Sequence, residues 1–449
     1  MKKLLLSVCV LGFIACQPVA NINIVPPPGG DPSEGTDPEP EPDPDPVVTP
    51  SGERVPLSAS ITHVQPMTGL VLWTDSESKA SYVQLEFSYM LYNKICKKKD
   101  VYDWSAMDDL LAEVASRKHQ AVVRFRYVYP GQSSNAVPDY IKKLDGYEEI
   151  TYNTQGDGKA VYPDWRCAEL QRFHKEFHRR FAERYDNDPR LAFLETGFGH
   201  WAEYHVYGGK LIKGQTFPSA DFQKEFLPMM DEWFKDTPWM ISIDAADDDY
   251  GSPFPSTESL LQLDFGNFDD SFMCEDHDGY NLDCWTFFGP QRYKKAPFGG
   301  EFSYFDDNGK NYDQKHCLDV GGMYGRKFED EVAKYHMTFI IGADQPKYQK
   351  ESRLKDASMA MGYKFEIRDY RVDTDASYVL IANVGVAPIY RSAYVAIDGK
   401  RSAYDLRKLM PGTEVWVSVP GKADTSLKPS IVCDHLVSGQ SIEYQANVK

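Results

Sequence analysis

The sequence predicts an α/β chain: a (β/α)8 TIM barrel followed by a small C-terminal antiparallel β-sandwich. Three observations predict it. Eight short apolar runs punctuate residues 69–344, amphipathic segments separate most of them, and from about Gly362 strand-like runs follow one another with only turn signals between. Strands alternating with helices make a parallel sheet covered by its crossovers, and eight strands is the number that closes a TIM barrel. The first gap is too short for a full helix, so a doubly wound open sheet is the main alternative.

The chain opens with "MKKLLLSVCVLGFIAC". Lys2 and Lys3 precede an apolar run, Leu4 to Ile14, that is too short to span a bilayer stably, which is the pattern of an export signal. "FIAC" resembles the bacterial lipobox, and that resemblance implies removal of residues 1–15 and lipidation of Cys16. Residues 16–55 contain "PPPGGDPSEGTDPEPEPDPDPVVTP", where alternating proline and acid favour an extended chain with no core. They are expected to tether the folded part to a membrane. The sequence therefore places the protein at the cell envelope, in the outer membrane, facing the periplasm or the surface. Membrane contact is expected through the lipid anchor only.

The barrel is assigned to residues 56–361. Its expected strands are "GLVLWT" (69–74), "VQLEFSY" (83–89), "AVVRFRYVY" (121–129), "LAFLETG" (191–197), "WMISIDA" (239–245), "DDSFMCED" (269–276), "KAPFGGEF" (295–302) and "MTFIIGAD" (337–344). Helical spacing of apolar residues marks 103–118, with Asp103 as N-cap, then 167–185 and 219–236. Residues 362–449 carry five strand-like runs, from "YKFEIRDYRV" to "SIVCDHLV", and form the expected sandwich.

Composition narrows the function. A net charge of −18 with no basic cluster argues against nucleic acid. The aromatic share of 13% exceeds what a core alone needs, and flat rings at strand ends suit sugar faces. No G-x-S-x-G elbow or glycine-rich phosphate loop is present. Six cysteines follow Cys16, without a CxxC pair. Cys274 and Cys284 could close a short loop, or all six could be free thiols.

Barrel chemistry sits at the C-terminal ends of strands. The fourth strand runs into "GFGHWAEYH" and delivers Glu203, and the seventh delivers Glu301. Strands four and seven lie across the mouth from each other, and two facing carboxyl groups are what glycoside hydrolysis requires. Trp201 and Tyr204 beside Glu203 would favour its acid form. Arg124 and Arg126 alternate in "VVRFRY", so both face one side, and Glu195 is expected to pair with one of them. Trp73, Tyr127, His200, Trp201, His205, Asp244, Glu275 and Tyr304 fall at or near strand ends as candidate substrate contacts. His200, Glu203 and His205 do not have the H-E-x-x-H spacing, so neither a metal nor a cofactor is expected.

The run "YPDWRCAELQRFHKEFHRRFAERYDNDPRLAFLETGFGHWAEYH", with "GGE" at 299–301 and "AYDLRKLMPGTEVWVSV", resembles a bacterial family of clan A glycoside hydrolase-like barrels, domain of unknown function 4832. The likeness spans most of residues 60–449. It implies a carbohydrate substrate, with Glu203 as acid/base and Glu301 as nucleophile of a retaining reaction. One position departs from the pattern. Many clan A enzymes carry Asn immediately before the acid/base, and here that residue is Ala202. This leaves a second expectation open, a glycan-binding barrel without catalysis. A third reading, a protein-interaction scaffold, would need a flat apolar patch in place of a cleft.

Overall fold

The computed structural model describes residues 50–76, 81–154, 156–247, 249, 251–304 and 312–449. The export signal, Cys16 and the tether up to residue 49 lie outside the described residues. Among the described residues no helix is long and apolar enough to cross a membrane.

Eight parallel strands form the barrel: β1 (Gly69–Trp73), β2 (Leu85–Leu91), β3 (Gln120–Arg126), β4 (Leu191–Thr196), β5 (Trp239–Ser242), β6 (Gly266–Asp269), β7 (Phe298–Gly300) and β8 (Phe339–Ile341). Each pairs with the next, and β8 returns to β1. The ring closes between β7 and β8 through parallel bridges Phe298–Met337 and Glu301–Ile341. Thr338 N donates to Phe298 O (2.7 Å) and Phe302 N to Ile341 O (3.0 Å) across that seam. Closure excludes the doubly wound alternative, which would leave two open edges.

Seven of the eight strands lie where the apolar runs put them. The sixth does not: it is Gly266–Asp269, and residues 275–278 of the expected "DDSFMCED" strand form a 3-10 turn. The strand is short and half polar, so it carries no apolar run. Its fit is steric, because a Cβ on Gly266 would lie 2.2 Å from Pro297 O on the neighbouring strand's approach.

Three long helices cover the outside, α1 (Ser105–Ser116), α2 (Ala168–Tyr185) and α3 (Ala220–Trp233). Asp103 Oδ1 accepts from Ser105 N (3.1 Å) at the start of α1, and Ser219 accepts from Phe222 N (3.2 Å) at the start of α3. Helix α2 buries Phe173, His174, Phe177, His178 and Phe181 on one stripe, the i, i+3, i+4 spacing of an amphipathic helix. Strand residues alternate accordingly. Val123 and Phe125 pack outward with the helices, while Val122 and Phe87 belong to the inner core.

The C-terminal part is built from two antiparallel groups of strands, as expected. One sheet orders β13 (Glu414–Pro420), β10 (Ala376–Asn383), β9 (Phe365–Val372) and β15 (Tyr444–Val448); the other orders β12 (Lys400–Arg401), β11 (Ala393–Ile397) and β14 (Ser430–Cys433). Within the first sheet, β15 runs parallel to β9. Residues 53–59, which the sequence assigns to the tether's end and the barrel's start, join this sheet instead. Leu57–Ala59 pairs with β15, and Glu53–Arg54 with β9. The sandwich plugs the N-terminal end of the barrel, since Phe365, Ile367 and Val379 share one apolar core with Val122, Met240 and Phe268. Arg391 reaches Leu191 O (2.8 Å) at the start of β4 from this side. The mouth at the opposite end is thereby left to the loops after the strands. All six described cysteines are free thiols, Cys274 and Cys284 included.

Candidate active site at the barrel mouth

The stretch after β4 is a tight curl fixed by backbone contacts. Phe198 N and Gly199 N both donate to Glu203 O (3.2 and 2.7 Å), and His200 N donates to His205 O (2.9 Å). A Cβ on Gly197 would lie 2.2 Å from Ala202 O, and one on Gly199 only 2.1 Å from His205 O. Those two glycines let the chain fold back on itself. Trp201 and Ala202 take left-handed backbone angles, φ 54° and 62°, which side-chain-bearing residues seldom adopt. The curl turns Glu203 and His205 inward, where both are buried.

Arg124 lies at the centre, with no exposed surface. Its Nε and Nη2 both reach Glu195 Oε2 at 2.7 Å, Nη1 donates to Glu203 Oε1 at 2.5 Å, and Nη2 to Glu301 Oε1 at 3.1 Å. The expected partnership of Glu195 with one of the two arginines is thus with Arg124. Three carboxylates from β4, its following loop and the end of β7 converge on one guanidinium. Phe268 packs against it, 4.4 Å from its carbon to the ring centroid.

A second charge group adjoins the first. His205 Nε2 lies 2.7 Å from Glu203 Oε2, 3.2 Å from Asp270 Oδ2 and 4.0 Å from Asp244 Oδ2. Burial acts to discharge His205, but the Asp270 and Glu203 hydrogen bonds overcome it and hold the imidazole well above its ordinary pKa. Burial pushes Asp244 well above the usual carboxylate range, reinforced by Asp270, while the His205 bond keeps Asp270 below that range against its own burial. Glu301 is likewise pushed well up, chiefly by burial; Arg124 opposes the shift and Glu203 adds to it.

The environment of Glu203 differs from the aromatic one expected. Its oxygens meet Arg124 and His205, whereas the Tyr204 ring packs away among Phe198 and Phe217. Burial drives Glu301, Asp244 and Glu195 toward their acid forms.

Several other predicted residues border this cluster. Trp73 Nε1 donates to Tyr304 OH (2.7 Å), and Arg126 stacks over Tyr89 and Tyr129. Trp201 packs edge-on to Tyr129 and lies beside His205. His200 stands just behind, hydrogen-bonded to Tyr162 OH (2.7 Å), with burial lowering its pKa to about 3. Two residues fall elsewhere. Tyr127 alternates to the outer face, stacked on Tyr92 and bonded to His174 Nδ1 (2.9 Å). Glu275 is exposed in the 3-10 turn Glu275–Asp278, outside the cluster, because β6 ends at Asp269 and gives the strand-end position to Asp270.

Asp270 and Tyr89 are the residues the sequence reading missed. Tyr89 shares its strand face with Phe87, and its phenol feels Arg124, Glu301 and Glu203. Strand alternation alone would have placed Tyr89 with Phe87. Asp270 became visible only once β6 was set in its true place. Glu203, His205 and Asp270 also form a group whose donor atoms all lie within 4.8 Å, a set that could ligate a divalent cation. The 2.7 Å contact between His205 and Glu203 is a hydrogen-bond distance, so the arrangement is that of a shared proton.

No family model matches the chain, and no curated protein matches it. Solved structures similar in fold include an α-galactosidase from Thermus thermophilus in complex with p-nitrophenyl α-D-galactopyranoside, at 12% identity over 72% of this chain and 66% of that one, TM-score 0.37. Another is a GH5_18 structure from Bifidobacterium longum subsp. longum, at 10% identity over 57% of this chain and 59% of that one, TM-score 0.33. A third is an endoglucanase, Cel5A, from Pseudomonas stutzeri, at 8% identity over 68% of this chain and 96% of that one, TM-score 0.38. The chain thus spans 66% and 59% of the length of the first two.

Proposed function

We propose that the barrel mouth hydrolyses a glycoside, with Glu203 and Glu301 as the reacting carboxyl pair and the retaining outcome that the family resemblance implies. The observation that carries this reading is Arg124, whose one guanidinium binds both carboxylates and so fixes them beside each other at the mouth. A retaining reaction needs one of the pair as an acid and the other as an anion. Burial pushes Glu301 well above the usual carboxylate range, with Arg124 opposing it. For Glu203 to act as acid/base and Glu301 as nucleophile, Glu301 must be ionised with substrate bound. Arg124, 3.1 Å from Glu301, supports the anion that results.

Two measurements test this. Glu203→Gln and Glu301→Gln should each lower turnover of aryl glycosides by a factor of about 10³ or more, since each removes an acid, base or nucleophile from the reaction. A 2-deoxy-2-fluoro glycoside should leave a covalent adduct on Glu301. An adduct on Glu203 would reverse the two roles, and undiminished turnover in either variant would sink the mechanism.

A specific observation favours a second reading, a glycan-binding barrel without catalysis. Both carboxylates are already engaged by Arg124 and are only 3% and 5% exposed. On that reading oligosaccharides bind the wild-type chain and none is cleaved. The envelope location and lipid anchor through Cys16 belong to the same proposal, and radiolabelled palmitate incorporation that is lost in Cys16→Ala checks them.

A further inference from the structure

The two arginines of β3 differ in their company. Arg126 follows Arg124 by two residues, so both project from one face, with Arg126 roughly 6–7 Å nearer the mouth. Arg124 meets three carboxylates, and the half-buried Arg126 meets none among the described residues. Its guanidinium carbon lies 4.5 Å from the Tyr129 ring centroid and 5.4 Å from that of Tyr89. Its Nε is buried without a hydrogen-bond partner, and no ion pair among the described residues includes it. Burial lowers its pKa, and the groups that oppose this are the two phenols, not an acid.

A cation taken out of water needs a counter-charge or it costs free energy. Ring stacking replaces part of what water supplied, but the rings cover guanidinium faces and leave the in-plane N–H donors to seek an acceptor. Those donors match the paired oxygens of a carboxylate or a sulfate. A free small anion is a poor occupant, because the Glu203 and Asp270 carboxylates crowd the same mouth. The anion has to arrive on a molecule that other contacts hold. One sugar ring spans about the distance between two same-face strand positions, so a sugar seated at the carboxyl pair would carry its substituent to Arg126.

We propose that Arg126 recognises a carboxylate or sulfate ester on the sugar bound beside Glu203 and Glu301, which makes the ligand an acidic glycan. This rests on the reading of the mouth as a glycan site and adds its substrate class.

The test is calorimetric titration of the full chain with two matched pairs: trigalacturonate against its methyl ester, and a sulfated carrageenan tetrasaccharide against its desulfated form. One charged member is expected to bind about tenfold or more tightly than its neutral partner, the scale of a charge-assisted hydrogen bond. The pair that shows the difference tells carboxylate from sulfate. Arg126→Gln should erase the preference, Arg126→Lys should keep part of it, and added salt should narrow it. Equal affinities within both pairs, a preference that survives Arg126→Gln, or no binding of either charged probe overturns the proposal. Charge preference without any turnover defeats the hydrolase reading alone. Turnover of neutral glycosides without charge preference defeats this proposal alone.

Discussion

A guanidinium offers five N–H donors in one plane, and Arg124 directs them at three buried carboxylates from three separate parts of the chain. Glu195 keeps one oxygen unpartnered even so, so the cluster has no spare donor to lose. Arg124→Met should therefore leave buried acids without a counter-charge and lower the unfolding free energy by about 3–5 kcal/mol, measured by urea titration. Arg124→Lys should recover part of that stability. It should recover little turnover, because a point charge cannot hold two carboxylates in a fixed fork. Legibility was uneven at this scale. Glu203, Glu301 and Arg124 could be found because they end strands or alternate within one. Asp270 could not, because a strand of Gly, Asn, Phe and Asp gives no apolar signal. The upward push on Glu301 was also illegible, since it comes from burial that only the fold sets.

Between residue and fold, the curl from Gly197 to His205 is the element that aims the site. Its carbonyls occupy the space a side chain at Gly197 or Gly199 would need. Gly199→Ala should displace the His205 carbonyl, cost about 1–3 kcal/mol by overpacking, and misplace Glu203. Thermal melting and turnover should both fall, with turnover affected more than the stability loss alone explains. Helix α2 makes a separate prediction about pH. Burial lowers His178 to about 4 and His174 well below its ordinary value, so both are neutral in the folded chain at pH 5–6 while the unfolded chain takes up protons. Their pKa values are depressed, so the stability they confer is present above about pH 6.5 and is lost as pH falls through that window, at up to about 1.4 kcal/mol per pH unit for each. His178→Leu should show a shallower fall than wild type between pH 6.5 and 4.5. An identical slope would mean that His178 titrates freely. The helix itself was legible from its apolar stripe. The outward turn of Tyr127 onto His174 was not separated from the mouth-facing residues, although the alternation that pointed Arg124 and Arg126 inward already implied it.

At the scale of the whole molecule, barrel and sandwich share a core. Strand β15 lies between β9 and the Leu57–Ala59 strand, with Ala446 and Val448 buried. Deleting residues 444–449 should expose two strand edges and free Leu57–Ala59, leaving Arg54 held only by its two-residue pairing with β9. Limited trypsin digestion should then cut there before any barrel cleavage, whereas the intact chain should resist. The rhythm of runs announced both domains, but the pairing of residues 53–59 with the far end of the chain is a contact across nearly 400 positions. No local pattern in the sequence encodes it. The register sets Leu57 opposite Val448, on the side of the barrel away from the loops that form the mouth. Anything fastened to either side of that junction, whether a leash, a tag or a solid support, is held behind the floor. Whichever end is held, the mouth points away from its mooring and stays open to the surroundings.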